Sequence, residues 1–211
     1  ALGADLAHMD ATEVAIFADP QQLVRGILVN GRGKRYVAED TYPGRIGQLT
    51  LYHQDDTAYL IIDDQGQQEA TASLSPRLMM RKATWVAETP AELESEIGLP
   101  VGSLQATVAA YNDGAARGED PLLHKKQQWL RPIDPPIGAI DLRNSTGGFT
   151  LGGLMTTLSG EVFHVDGEPI PGLFAAGRCT AGLAAWGYAS GVSLGDGSFY
   201  GRRAGRAGAR A

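Results

Sequence analysis

Residues 171–178 read Pro-Gly-Leu-Phe-Ala-Ala-Gly-Arg, and residues 186–205 read Trp-Gly-Tyr-Ala-Ser-Gly-Val-Ser-Leu-Gly-Asp-Gly-Ser-Phe-Tyr-Gly-Arg-Arg-Ala-Gly. In the first stretch, residues 172–177 have the length and bounding glycines of a short buried strand, and Arg178 follows at its end. In the second, Ser190 opens a run of small residues that continues through Gly191, Val192, Ser193, Leu194, Gly195 and Asp196. The order is strand, loop and helix N-terminus. Glycines at 191, 195, 197, 201, 205 and 208 would each cost a free helix about 1 kcal/mol against alanine, so close packing or a ligand must compensate. The free N–H groups at such a helix start suit an anionic or carbonyl-rich ligand.

Working outward, the 211 residues are 43% apolar, enough for one large or two small cores. Glycine, at 28 residues, has about twice its ordinary usage, without a collagen period or the low hydrophobicity of disorder. A formal charge of −6 argues against nucleic acid or an anionic membrane as partner. The basic residues Arg202, Arg203, Arg206 and Arg210 read as a solvated helix end. No apolar run approaches the ~18 residues of a membrane span. One cysteine, Cys179, excludes an internal disulfide and suits a reducing compartment, so a cytoplasmic location is expected. Ala1 follows no signal pattern and is read as a cut or processed end.

Residues 1–9 read as the end of a helix and 10–20 as a connector. Residues 27–29 and 35–37 flank Asn30-Gly31, whose positive-φ tolerance predicts a hairpin. A turn is expected at 41–45, a short helix at 47–54, and strands at 58–62 and 84–87. Thr89-Pro90-Ala91-Glu92 is a capping box that starts a helix ending at Gly98. A second helix starts at Ser103, with Leu104, Val108 and Tyr111 on its core face and Gly114 or Gly118 at its end. The proline-rich, aperiodic residues 120–136 read as a linker. Residues 150–157 read as a strand, and 161–167 as a surface strand and turn carrying a solvated His164.

The four histidines and Cys179 have no metal-ligand spacing, so no metal site is expected. No P-loop occurs.

The two opening stretches, together with residues 25–45 (Arg-Gly-Ile-Leu-Val-Asn-Gly-Arg-Gly-Lys-Arg-Tyr-Val-Ala-Glu-Asp-Thr-Tyr-Pro-Gly-Arg) and 150–154 (Thr-Leu-Gly-Gly-Leu), resemble the fumarate reductase/succinate dehydrogenase flavoprotein superfamily. The likeness is strongest to its Δ4 ketosteroid dehydrogenase branch and covers the later part of such a flavoprotein. The superfamily's N-terminal G-x-G-x-x-G is absent from these residues. The resemblance implies an α+β chain, part of a two-domain flavoprotein. Residues 1–18 would be a remnant of the FAD-binding domain, 19–136 an α+β cap, and 137–211 the C-terminal part of the FAD-binding domain.

The implied cofactor is FAD, with Gly177, Arg178, Gly191, Ser193 and Leu194 on its flavin side. The N–H groups of Ser193 and Leu194 would meet the pyrimidine edge. Dicarboxylate enzymes of the superfamily carry a histidine and an arginine before this helix, where this chain has Ala184 and Tyr188. Tyrosine cannot supply the guanidinium fork that clamps a carboxylate. With Leu183, Ala185 and Trp186 beside it, the place suits a small apolar ketone as substrate. Tyr188-Ala189-Ser190-Gly191 matches the Tyr-x-Ser-Gly element of the steroid branch.

Dehydrogenation next to a ketone needs a base, an acid and a hydride acceptor. Tyr188 and Ser190, with Tyr42 from the cap, are the implied catalytic residues. Which tyrosine is base and which is acid stays open, as does the electron acceptor. Two other readings stay open as well. One is a non-catalytic module for an apolar ligand. The other is a dicarboxylate reductase whose clamp comes from Arg25, Arg35 or Arg45.

Overall fold

A computed structural model of the chain describes residues 2–73, 79–184 and 187–210. Its elements, in order, are β1 (Leu6–Ala7), β2 (Thr12–Ile16), α1 (Pro20–Arg25), β3 (Ile27–Val29), α2 (Pro43–His53), β4 (Tyr59–Asp63), α3 (Asp64–Ala72), β5 (Trp85–Ala87), α4 (Pro90–Ile97), α5 (Ser103–Ala116), β6 (Ile137–Asp141), β7 (Thr146–Thr150), β8 (Gly153–Leu154), β9 (Glu161–Phe163), β10 (Pro169–Phe174) and α6 (Val192–Gly208). This α+β chain divides into two compact units, residues 14–147 and residues 1–13 with 148–211. The cap boundary expected at 136/137 precedes β6, which pairs with β4 on one side and β5 on the other, so the unit runs on to residue 147.

The 14–147 unit is built on a four-stranded antiparallel sheet of order β3-β4-β6-β5. Every residue of β3 and β4 is buried, because both faces of the sheet are covered, and the strands therefore read as unbroken apolar runs. On one face Ile27, Val29, Tyr59, Ile61, Ile137 and Ala139 pack against Leu93 of α4 and Leu104, Val108 and Tyr111 of α5. On the other, Leu28, Leu60, Ile62 and Ile140 meet Leu23 of α1 and Ile46 of α2.

The capping box forms at α4. Thr89 Oγ1 accepts from the Glu92 N–H at 3.2 Å, and Gly98 ends the helix at φ 81°. The hairpin expected across residues 27–37 is reduced to one bridge, Val29↔Arg35, with the positive φ at Gly33 rather than at Asn30 or Gly31. Asn30 instead holds the loop with its side chain, Oδ1 accepting from the N–H groups of Arg32 and Lys34. The turn expected at 41–45 runs into the first turn of α2, which starts at Pro43, a proline at N1.

In the other unit the helix expected at residues 1–9 is a strand. Leu6 and Ala7 pair with Leu154 and Gly153, and the connector at 10–20 holds β2 and the start of α1. The single strand expected at 150–157 is broken into the end of β7, β8 and a Thr156↔Val162 bridge. The expected buried strand at 172–177 is the end of β10, which begins at Pro169, pairs with β9 alone among the described residues and leaves Gly172 exposed. A two-stranded ribbon offers no second layer to bury it.

Candidate functional site

β10 ends at Phe174, and the chain enters a short 3₁₀ turn at Gly177–Cys179. Gly177 has φ 77°, and a Cβ there would lie 3.6 Å from the Cα of Gly197, so the turn sits against α6. A Cβ on Gly182 would lie 2.8 Å from Asp196 Oδ2. These approaches border an open surface cleft whose lining includes Leu151, Gly177, Arg178, Leu183, Ser193 and Asp196.

α6 starts after Gly191, an N-cap residue at φ 96° with no side-chain capping bond. Its first amides therefore remain the positive end of a 17-residue helix. Leu194 N–H, however, donates to the Gly191 carbonyl at 3.1 Å. Of the two amides expected to meet the flavin, that of Leu194 is turned into the helix, and the Leu194 side chain is exposed. Gly191 and Ser190 are exposed beside it.

Tyr188 is held from two sides. The Ser193 hydroxyl donates to Tyr188 Oη at 3.3 Å, and the Phe149 ring meets the Tyr188 ring edge to face at 5.1 Å and 87°. Over the same Phe149 ring lies the Arg178 guanidinium, 3.6 Å from the centroid. Arg178, Phe149, Tyr188 and Ser193 thus form one connected group. The sequence singled out three of these four. Phe149, inside Thr-Gly-Gly-Phe-Thr, carries no motif of its own, although an aromatic beside two glycines at the end of a strand was a usable signal. Asp196 was passed over as part of the small-residue run. Ala185 and Trp186 of the expected apolar neighbourhood lie outside the described residues.

Tyr42, in the 14–147 unit, precedes α2, and its carbonyl accepts from the N–H groups of Arg45 and Ile46 at 2.9 and 3.2 Å. The residue is 40% exposed. Elsewhere in that unit burial, the largest cause in each, pushes the Tyr36 and Tyr111 hydroxyls up to about 12. Residues 120–136, expected to be a linker, close an internal charge network. Arg35 bonds both carboxylate oxygens of Glu39 and both of Asp120, at 2.9–3.1 Å. Lys125 Nζ lies 3.4 Å from Glu39 and donates to the Gly26 carbonyl at 2.7 Å. Arg35 is therefore not a free substrate clamp, and Arg25 is engaged by Glu69 and Gln21.

The bare backbone of the site leaves room for a flat ring. A Cβ on Gly187, Gly191 or Gly195 would meet no atom within 4 Å, so peptide faces open space at the start of α6, as the approach of a flat ring requires. With an uncapped helix end and an exposed arginine alongside, these residues fit the flavin part of FAD.

Comparison with known proteins agrees. A family model described as an FAD binding domain matches residues 18–194. The chain belongs to that family. It is similar, at 65% identity and a TM-score of 0.92 over 98% of its length, to the crystal structure of 3-ketosteroid-Δ4-(5α)-dehydrogenase from Rhodococcus jostii RHA1 in complex with 4-androstene-3,17-dione. Among curated relatives it is 32% identical over 96% of its length to an NADH:acrylate oxidoreductase of Vibrio harveyi. To a 4-oxocyclohexanecarboxylate 2-dehydrogenase of Sinomonas cyclohexanicum it is 33% identical over 85%. The chain spans 43% of the Rhodococcus protein, 21% of the Vibrio protein and 36% of the Sinomonas protein. No described helix is long and apolar enough to cross a membrane.

Proposed function

We propose that the chain is the flavin-side and cap part of an FAD-dependent oxidoreductase that acts on a carbon–carbon bond next to the ketone of a 3-ketosteroid-like substrate. The observation that carries this reading is the 65% identity over 98% of the chain to a steroid-bound dehydrogenase. Tyr188 stands in place of a carboxylate-clamping arginine, and Leu183 lines the cleft beside it, which further supports an apolar ketone.

FAD, when bound, supplies the acceptor for a hydride. The chain's own residues do the rest. Gly177 and Gly191 let the ring approach, Arg178 lies on its flavin side, and the α6 N-terminus stabilises negative charge. Tyr188, its hydroxyl fixed by Ser193, handles the proton at the carbon beside the ketone or holds the carbonyl oxygen. Tyr42 is the proposed second proton-handling group, on the resemblance alone, and Ser190 the hydroxyl beside Tyr188 in sequence. The engagement of Arg35 and Arg25 within their own unit weakens the dicarboxylate alternative.

The test is steady-state oxidation by the full-length protein with an artificial electron acceptor. A saturated 3-ketosteroid should be turned over and succinate should not. Succinate turnover without steroid turnover would reverse the assignment.

A further inference from the structure

Phe149 belongs to no motif, yet it is the residue through which Arg178 and Tyr188 are connected. Its ring face carries the Arg178 guanidinium at 3.6 Å, and the Phe149 and Tyr188 rings meet edge to face, 5.1 Å between centroids. Both are favourable geometries, since the guanidinium lies over the negative π face and the perpendicular pair aligns ring edge with ring face. A phenol can still rotate about its hydrogen bond to Ser193, and one contact does not fix a ring plane. The Phe149 ring supplies the second constraint. Arg178 is exposed on the 3₁₀ turn, and among the described residues the Phe149 ring is the partner shown for its guanidinium, so the same ring determines where its charge sits.

We propose that Phe149 is a positioning residue of the reaction: it sets the plane of the Tyr188 phenol and seats the Arg178 guanidinium. The flavin-side cation and the proton-handling tyrosine are thereby oriented by one ring. This rests on the function proposed above.

In the full-length protein, Phe149→Leu should slow flavin reduction by a saturated 3-ketosteroid about 3- to 10-fold, the worth of an aromatic pair. The steroid concentration at half-maximal rate should change by less than about twofold, because an orienting contact acts on the reaction step. Phe149→Tyr, which keeps the ring, should restore the rate. Adding Phe149→Leu to Tyr188→Phe should slow the reaction no further than Tyr188→Phe alone, since the two residues act as a unit. Without any turnover, FAD affinity of the apoprotein, read by quenching of flavin fluorescence, should weaken about 3- to 10-fold in Phe149→Leu as Arg178 loses its seat.

A lowered melting temperature with unchanged flavin reduction and unchanged FAD affinity would overturn the proposal and leave Phe149 as packing. Losses that multiply in the double variant would overturn it too. Should Phe149→Leu fail to fold, Phe149→Met is read by the same criteria. If Tyr188→Phe itself reduces flavin at the wild-type rate, the functional reading fails first. If Tyr188→Phe is slow and Phe149→Leu is normal, only the positioning role fails.

Discussion

The sheet and helix core of the 14–147 unit and the α6 helix of the other unit use their glycines in opposite ways. In the 14–147 unit, Gly26 and Gly47 sit where backbone presses on backbone: a Cβ would lie 2.5 Å from Ile61 O and 2.4 Å from Val14 O. Its charges Arg35, Glu39, Asp120 and Lys125 are turned inward and satisfy one another. In the unit of residues 1–13 and 148–211, the buried hydrophobic residues among those described are Ala11, Val162 and Ala204. Gly191, Gly195, Gly201 and Gly205 there face open space. One unit is a closed scaffold. The other keeps bare peptide of α6 open, as the approach of a cofactor requires.

The largest expected break in this contrast comes from the buried charges. Glu39→Gln leaves Arg35 and Lys125 undercompensated and should cost about 3–5 kcal/mol in urea unfolding, as removing one partner of a buried pair does. A cost near that of a surface pair, below about 1 kcal/mol, would mean that the network is solvated. Gly47→Ala comes next. The added methyl cannot displace backbone at 2.4 Å, so a loss of about 1–3 kcal/mol is expected from the same measurement.

Acid should act on the same unit. Burial pushes the Asp63 and Asp120 carboxyls up, but the guanidinium groups of Arg131 and Arg35 and nearby backbone N–H groups outweigh it and hold both below the ordinary carboxylate range. A folded-state value below the unfolded one stabilises above about pH 4 and is lost as pH falls through the folded value. Melting temperature should therefore hold from neutral pH to about 5 and fall below about 4, and Asp63→Asn should flatten that fall. The smallest effect has the opposite sign. Gly201→Ala, with nothing within 4 Å of the new methyl, should stabilise α6 in this chain by up to about 1 kcal/mol. Destabilisation instead would show that this helix face packs closely in the chain.

The legible parts of the fold were those whose signals are local. Thr89, Pro90 and Glu92 announce the start of α4, Gly98 its end, and Leu104, Val108 and Tyr111 the buried face of α5. β1 and β2 were not legible, because strands of two and five residues take their identity from partners more than 130 positions away in sequence. Asp120 and Lys125 looked like linker polarity, since only the folded chain brings Arg35 and Glu39 to them. At the candidate site the glycine run, Arg178 and Tyr188 were readable. The direction of the Leu194 amide and the contacts of Phe149 were not, because both depend on how the loop and β7 meet α6.

The most direct test is single-turnover flavin reduction in the full-length protein with a saturated 3-ketosteroid, wild type against Tyr188→Phe. The account predicts an intact flavin spectrum, a melting temperature close to wild type and reduction slowed by about 10²- to 10⁴-fold. Reduction at the wild-type rate, with the only change a loss of about 1 kcal/mol in stability, would contradict it and return Tyr188 to a structural role.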